Sequence, residues 1–303
     1  MSQKLSISVG IAAYNEEGNI KKLLTSFLSQ KQRLLSIKEI LVVSSGSTDK
    51  TNQIVRSFSN KFPIIKLIRQ KKRVGKASAV NILLSKAKAN IIVLSSADII
   101  LAKKSLEKLV KPLISSKVGI VGSHPVPLND PKTFFGYAAH LLWDIHHRIS
   151  LSSPKMGECI AFRKVFKQIP SLSSVDEVSI ESIVERQGYK PIYAKDAIIY
   201  NKGAENLYEF IARRRHIYSG HLATKREYGY KVSTLSGIKI LFIVASKFKF
   251  NLRFIFWTPI IVALEAYSRF LGYLDFRLKP KAHTIWRMTE STKKLPHLGK
   301  LNV

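Results

Sequence analysis

Short apolar runs alternate with helical patterns over residues 7–94, and this alternation constrains the fold more than any other feature. The runs are rich in Ile and Val, which is typical of strands that are covered on both faces of a sheet. Strands that alternate with helices pair in parallel through right-handed crossovers. The sequence therefore predicts an α/β sandwich. We place its strands at 7–13, 39–43, 64–68 and 91–94, and its helices at 18–30, 49–60 and 75–89.

The alternation becomes less regular after residue 121. Helices are predicted at 134–151 and 174–187, an extended run at 157–164, and paired strands at 190–201. We expect one continuous catalytic domain over residues 1–232. A hydrophobic and basic helical region is expected over residues 233–303.

Composition and charge limit the classes of protein that the chain can be. Hydrophobic residues make up 46% of its 303 residues, enough for a core, which excludes a disordered chain. Its only cysteine is Cys159, so no intrachain disulfide forms and a reducing compartment is favoured. The N-terminus enters a strand without a long apolar stretch, which predicts no signal peptide. The net charge of +30 attracts nucleic acid, anionic membranes or phosphorylated substrates without choosing among them, and is equally compatible with a solvated surface.

Polar loops follow three of the predicted strands, at the ends where open α/β sheets bind their ligands. These loops are residues 14–16, 44–49 and 95–98. No G-x-G-x-x-G follows the first strand, and no G-x-x-x-x-G-K-[ST] occurs in the chain. A dinucleotide fingerprint and a P-loop are therefore both excluded.

Five stretches match one enzyme family in order along the chain. They read "ISVGIAAYNEEGNI", "ILVVSSGSTDKT", "RVGKASAVNILLSKAKANIIVLSSAD", "SSVDEVSIESIVERQGYK" and "ARRRHIYSGH". Together they resemble a family 2 glycosyltransferase of the GT-A fold, over about residues 5–225. The resemblance implies a Rossmann-like α/β/α sandwich with a mostly parallel sheet. It also implies transfer of a sugar from a nucleoside diphosphate donor, with inversion at the anomeric carbon.

The resemblance assigns the donor site to the strand-end loops. Ser44 or Ser45 stands where the family usually has an aspartate that commonly contacts the base or ribose, so the identity of the nucleotide stays open. Asn15 and Asp49 are alternatively helix-terminal residues, and the basic cluster of residues 71–73 is interpreted as solvated charge. The implied donor-binding residues are Ala13, Tyr14, Glu16, Ser44, Ser45, Gly75, Lys76, Ser96 and Asp98.

The D-x-D motif of the family reads Ser96-Ala97-Asp98 here, so its first carboxylate is missing. Asp98 is the implied ligand for Mg²⁺ or Mn²⁺, since such cations prefer hard oxygen donors. The loss predicts weaker metal binding, and a metal-independent reaction stays open. His216 or His221 could complete a metal shell, although a lone histidine is more often structural.

The later motifs carry the implied catalytic residues. Glu177, with Asp176 beside it, falls where the family places the general base for the acceptor hydroxyl. Both acids are alternatively first-turn residues that complement the helix dipole. Arg215 occupies the arginine position of a partial Q-x-x-R-W segment and would neutralise the departing diphosphate. Gly157 and Glu158 lie where the family forms the acceptor wall.

Residues 237–275 are strongly apolar but interrupted by charges. The uncharged run between Arg253 and Glu265 is shorter than the ~20 residues that a spanning helix needs. Basic and aromatic residues alternate at 247–254, which predicts an in-plane anchor on an anionic leaflet. A spanning segment at 254–274, with Glu265 and Arg269 paired, and a hairpin packed on the catalytic domain both stay open.

Taken together, these features predict an inverting glycosyltransferase that works at the cytosolic face of the membrane. Its donor is a nucleotide-sugar and its acceptor a lipid-linked molecule or a growing glycan, as in cell-envelope glycan biosynthesis. No nucleic acid partner is expected. The alternative is a nucleic-acid- or polyanion-binding protein on a degenerate transferase fold, with salt-sensitive binding. A nucleotidyltransferase would need a Gly-rich first loop, which the sequence lacks.

Overall fold

The computed structural model describes residues 4–31, 33–171, 173–230, 237–246, 251–278 and 288–296. The strands are β1 Leu5–Ala13, β2 Leu35–Ser45, β3 Ile65–Gln70, β4 Ile91–Ser96, β5 Ile99–Leu101, β6 Val118–Pro127, β7 Cys159–Arg163 and β8 Lys190–Asn201. The helices are α1 Ile20–Leu28, α2 Thr51–Lys61, α3 Lys76–Lys86, α4 Ser105–Val110, α5 Phe134–Ser152, α6 Asp176–Arg186, α7 Leu207–Tyr228, α8 Gly237–Ala245 and α9 Leu252–Leu278. Two 3₁₀ turns, Lys111–Ile114 and Glu290–Lys293, complete the described elements.

Within the described residues the strands form one eight-stranded sheet in the order β3-β2-β1-β4-β7-β6-β8-β5. The first four strands in this order pair in parallel, as the alternating sequence predicts. Strand β7 then pairs antiparallel with both β4 and β6, and β8 pairs parallel with β6 and antiparallel with β5. The predicted α/β sandwich with a mostly parallel sheet is confirmed.

The prediction of paired strands over 190–201 is wrong. These residues form the single strand β8, which pairs with β6 over residues 190–193 and 198–201 and with β5 at its end. No Gly or Asn-Gly turn interrupts the segment; the register instead shifts between Gly122 and His124, and residues 194–197 of β8 have no pairing partner in β6.

Alternating side chains of the strands pack two apolar layers, one on each face of the sheet. Ile7, Val9 and Ile11 lie in the layer that includes α1 and α2. Leu41 and Leu94 lie in the opposite layer, against α3 and α6. The sheet is therefore covered on both faces, and its polar strand ends stay available for a site.

Helix α9 packs one face on α7 and leaves the opposite face exposed. Its buried residues recur at helical spacing, and a Cβ on Gly272 would lie 2.6 Å from the Arg215 carbonyl oxygen, so the two helices approach closely. The buried residues are Thr258, Ile261, Ser268, Gly272 and Asp275. The exposed residues are Phe256, Ile260, Tyr267, Phe270 and Tyr273.

By length and composition, α9 is the one helix in the described part of the chain that could cross a membrane. Its 27 residues contain a window with a mean hydropathy of 1.3. Residues 247–250, which are part of the predicted in-plane anchor, lie outside the described residues. The predicted domain boundary at 232/233 also lies outside them.

Residues 288–296, which we call the C-terminal segment, pack against the start of α1. The Asn19 side chain donates to the Thr292 carbonyl oxygen at 2.8 Å, and the Leu295 amide donates to Asn19 Oδ1 at 2.9 Å. Asn19 and Thr292 are both buried. The C-terminal segment is therefore held against the exit of β1.

Candidate active site

A cavity of about 370 Å³ opens at the carboxyl ends of β1, β2 and β4. Parallel strands bring their ends to one edge, which is why residues from distant motifs meet there. The predicted site residues that line the cavity are Ala13, Tyr14, Glu16, Ser45, Gly75, Lys76, Ser96, Asp98, Gly157, Glu158 and Glu177. Ser44, Asp176 and Arg215 do not line it.

The loops after β1 and β2 hold each other through side-chain hydrogen bonds. Asn15 has a left-handed φ of 50°, and its Oδ1 accepts from the Thr48 amide at 2.9 Å. Asp49 accepts from the Thr51 amide at 3.0 Å and from the Glu17 amide at 3.0 Å. These contacts favour structural roles for Asn15 and Asp49.

Ser44 was expected to contact the donor, but it faces the loop rather than the cavity. Its side chain is buried, and its hydroxyl donates to the Ser47 hydroxyl at 2.9 Å. Side chains alternate along a strand, so Ser44 and Ser45 at the end of β2 point to opposite sides. Only Ser45 reaches the cavity.

Arg73 lies in the cavity, although the sequence predicted only a solvated charge there. Its guanidinium carbon sits 3.9 Å from the centroid of the Tyr14 ring, in cation–π geometry. A Cβ on Gly46, whose φ is 71°, would lie 2.7 Å from the Arg73 amide nitrogen. The glycine therefore lets the Arg73 backbone pass close to the loop after β2.

Glu158 lies against the position where the D-x-D motif has lost its first carboxylate. The Ser96 hydroxyl donates to Glu158 Oε2 at 3.0 Å, and Arg213 donates to Glu158 Oε1 at 2.5 Å. Burial raises the pKa of Glu158; the Arg213 guanidinium opposes this rise, and Asp98 and Glu177 add to it. The expected acceptor-wall residue is thus part of a group of acids near Asp98.

Asp98 offers the cavity a hard oxygen ligand of the kind that Mg²⁺ and Mn²⁺ prefer. Among the residues that the structure describes, no three His, Cys, Asp or Glu side chains converge into a metal site. A divalent ion at Asp98 would need most of its ligands from outside the protein, such as phosphate oxygens and water. The residues present fit such a shared site.

The two predicted acids at the start of α6 meet Lys76 at the start of α3. Lys76 Nζ lies 2.9 Å from Asp176 Oδ1 and 2.6 Å from Glu177 Oε1. Asp176 is 2% exposed and sits behind Glu177, which reaches the cavity. Lys76, which was expected to bind the donor, thus organises the acidic pair.

Lys76 supplies one positive charge to the two carboxylates of Asp176 and Glu177. The charges of these groups therefore shift the pKa values of Glu177 and Lys76. Burial and then the Asp176 carboxylate raise the pKa of Glu177 to about 7, against the opposing effect of Lys76. Burial alone lowers the pKa of Lys76, but the two carboxylates outweigh it and raise that pKa above its usual value. Glu177 is therefore placed to exchange a proton near neutral pH.

The three successive arginines of α7 point in different directions. Arg213 and Arg214 line the cavity, and Arg214 donates to both oxygens of Glu265 at 2.6 Å. Arg215 instead donates to both oxygens of Asp275 on α9, outside the cavity. Residues 213, 217 and 221 line the cavity at helical spacing, and residue 215 is turned away from that face. Of the three, Arg213 is the arginine that contacts Glu158, one of the acids near Asp98.

The inner end of the cavity is buried and rich in basic groups. Burial and then Arg214 lower the pKa of Lys155 to about 7. Burial and then Lys155 lower the pKa of His146 and that of His221 well below the usual value. His221 therefore belongs with Lys155 rather than with Asp98. His216 is buried outside the cavity lining, so the structure brings neither proposed histidine ligand to Asp98.

Comparisons with known proteins identify the family and the fold. The model of the family described as "Glycosyl transferase family 2" matches residues 8–168, more than half of the chain. The chain belongs to this family. The structure of the mannosyltransferase PcManGT from Pyrobaculum calidifontis, in complex with GDP-Man and Mn²⁺, aligns with a TM-score of 0.67 at 20% identity. That alignment covers 91% of this chain and 88% of the other, and it confirms the GT-A fold.

Two curated relatives of this family member are named for lipid-phosphate chemistry. The dolichyl-phosphate beta-glucosyltransferase ALG5C of Trichomonas vaginalis is 29% identical over 149 residues, covering 44% of this chain and 44% of that protein. The dolichol-phosphate mannosyltransferase of Pyrococcus furiosus is 30% identical over 122 residues, covering 40% of this chain and 34% of that protein. The chain thus spans less than half the length of either relative.

Three charged residues that contact predicted site residues in the cavity of this family 2 protein were not predicted to bind the donor or to act in catalysis. Arg73 stands in a basic run, and Arg213 lies two residues before the arginine that the motif selected. Lys293 comes from the C-terminal segment and lines the cavity near Glu16. Arg213 could have been found from the helical period of α7, whereas no local signal marks Lys293.

Proposed function

We propose that the protein is an inverting glycosyltransferase. It transfers a sugar from a nucleoside diphosphate donor to a lipid-linked or glycan acceptor at the cytosolic membrane face. The observation that carries the proposal is a single cavity that joins the strand-end loops to Asp98, Glu177 and Arg213. Family membership supports the reaction class.

Each charged group then has a separate task in the transfer. Glu177 accepts the proton of the acceptor hydroxyl, and the freed electron pair forms the new bond to the anomeric carbon. The bond from that carbon to the diphosphate oxygen breaks, and the diphosphate leaves with the electron pair. Arg213 contacts Glu158, one of the acids near Asp98. From there its positive charge can offset the negative charge that develops on the diphosphate. Attack opposite to the leaving group inverts the anomeric centre.

Asp98 would hold a divalent cation together with the donor phosphates, and the cation would supply further charge neutralisation. Ser96 donates to Glu158 and so keeps that carboxylate next to Asp98. Lys76 holds Glu177 and its neighbour at a fixed place in the cavity wall. These residues orient the reacting groups whether or not the metal is essential.

A membrane-bound acceptor is supported by α9 and by the two relatives named for dolichyl-phosphate and dolichol-phosphate transfer. The α9 face away from α7 exposes large apolar side chains, and the charge of +30 favours an anionic leaflet. Because its other face is packed on α7, we propose that α9 lies in the plane of the membrane rather than crossing it. If the acceptor is a polyprenyl phosphate, its oxygen is already ionised and needs no base.

A thermal-shift panel of nucleoside diphosphate sugars, with and without Mn²⁺, tests the donor class. We expect one or more donors to raise the melting temperature, and Asp98→Ala to reduce the part of that shift that Mn²⁺ adds. Active preparations should then transfer sugar to a polyprenyl phosphate or to a lipid-linked glycan in vesicles. Absence of donor binding by the full chain contradicts the proposal.

A further inference from the structure

The C-terminal segment forms part of the cavity wall on the side of the β1 loop. Four of its residues, Met288, Thr289, Thr292 and Lys293, line the cavity. A Cβ on Gly18 would lie 2.4 Å from the Lys293 carbonyl oxygen, so the segment is in close contact with the entry of α1. The family match ends at residue 168, so it does not account for this wall.

Lys293 reaches from this segment to the loop after β1. Its Nζ lies 2.5 Å from Glu16 Oε1 and donates to the Tyr14 carbonyl oxygen at 3.0 Å. The side chains of Lys293 and Glu16 are only 18% and 7% exposed. Because the ion pair is largely buried and Lys293 also donates to the Tyr14 carbonyl, the Lys293 ammonium is held at a fixed position in the cavity wall.

Glu16 needs this cation because another acid is close to it. Burial and then Asp98 raise the pKa of Glu16 to about 7, while Lys293 opposes both effects. A nucleoside diphosphate adds its own negative charge at the same edge of the sheet. Without Lys293 the pKa of Glu16 would rise further, so the acid is neutral at neutral pH and ionised only at alkaline pH. There an ionised Glu16 without its cation would repel the phosphates, with little solvent to screen the repulsion.

We propose that the C-terminal segment is a wall of the donor site and that Lys293 is a positioning residue, which neutralises Glu16 so that a nucleoside diphosphate can bind. The inference rests on the proposed function, since it takes the donor to be a nucleoside diphosphate sugar. It assigns a donor-site role to a residue more than 100 positions beyond the family match.

The test is calorimetric binding of UDP and GDP to the full chain, in EDTA and in Mn²⁺. The variant Lys293→Gln keeps a hydrogen-bond donor for the Tyr14 carbonyl but removes the charge. At alkaline pH, where Glu16 is ionised in the variant, we expect it to lose about tenfold in affinity for the diphosphate, and less for the corresponding monophosphate, because the repulsion grows with ligand charge. At neutral pH the loss should be smaller, because Glu16 takes up a proton when its cation is removed. Lys294→Gln, at the exposed neighbouring position, is the matched control and should bind as wild type does.

A double variant separates charge neutralisation from a purely structural role. Glu16→Gln combined with Lys293→Gln removes both charges, and we expect it to recover most of the lost diphosphate affinity. Lys293→Arg should stay within about threefold of wild type, since it keeps the cation.

The proposal is overturned if Lys293→Gln binds diphosphate as wild type does at alkaline pH. It is also overturned if the monophosphate and diphosphate lose equal affinity, or if the double variant shows no recovery. Failure of the wild-type protein to bind either nucleotide instead contradicts the proposed function itself.

Discussion

Replacing Lys76 with methionine removes the cation that governs the protonation of the proposed base. In the protein, Lys76 Nζ lies 2.6 Å from Glu177 Oε1 and 2.9 Å from Asp176 Oδ1. Methionine retains an unbranched side chain but no charge. Both carboxylates then face each other in a buried site without a counter-charge.

The size of the effect follows from this geometry. An opposite charge at such a distance lowers a carboxyl pKa by about 1 to 3. Loss of Lys76 therefore moves the pKa of Glu177 from about 7 to roughly 8–10. A general base acts only when it is deprotonated, so activity rises with pH through this pKa. The variant should consequently lose about tenfold or more of kcat/KM at neutral pH and regain part of it in alkali.

The assay is the pH dependence of kcat/KM for sugar transfer, from mildly acidic to alkaline pH, with thermal unfolding as the check on folding. Lys76→Arg keeps the cation and should retain the wild-type profile. Lys66→Met is the matched control, because Lys66 pairs with Glu39 at 3.3 Å and its side chain is 47% exposed. A folded Lys76→Met variant whose rising limb stays at the wild-type pH would refute the reasoning.

Three further outcomes follow from the same structure. Arg213→Ala should lower kcat/KM by about 10² to 10³-fold in the transfer assay, whereas Arg215→Ala should mainly lower the melting temperature, because Arg215 pairs with α9. Burial raises the pKa of Glu181 to about 8, so the unfolded chain releases that proton first and stability falls as pH rises toward 8; Glu181→Gln should flatten this fall in thermal unfolding. Phe256→Ser combined with Phe270→Ser should weaken sedimentation with anionic vesicles by about tenfold, since both rings are exposed on α9.

Each of these outcomes has a result that contradicts it. Equal losses of kcat/KM in Arg213→Ala and Arg215→Ala would mean that the position of Arg213 in the cavity gives it no special role in the transfer. An unchanged pH dependence after removal of Glu181 would show that this acid is not buried with a raised pKa. Vesicle binding at the wild-type level in the Phe256 and Phe270 double variant would show that α9 is not the membrane-contacting surface. Leu151→Ser, at an exposed apolar position of α5, is the control and should bind as wild type does.

The N-terminal half of the fold was predictable because its signals are local. Ile- and Val-rich runs and the helical patterns between them mark each element, and parallel pairing then brings 13–16 and 96–98 to one edge. Strand β8 was misread because its partners β5 and β6 are set by tertiary pairing rather than by its own residues.

The parts of the site that were missed depend on orientation or on distant contacts. The motif selected Arg215, but the packing of α7 against α9 decides which of its faces meets the cavity. Glu158 reaches Ser96 because β7 pairs with β4, and the sequence of neither strand predicts the register of this pairing. Lys293 meets Glu16 across 277 residues, which no local pattern could reveal.

The central claim is that the cavity binds a nucleotide-sugar and that Glu177 then activates the acceptor. The most direct measurement compares donor affinity with turnover in Glu177→Gln, a change that keeps the shape of the side chain and removes its basicity. We predict that the donor binds within about threefold of wild type while turnover falls by about 10²-fold or more. Turnover near the wild-type value in this variant, measured with an acceptor that reacts through a hydroxyl, would contradict the account.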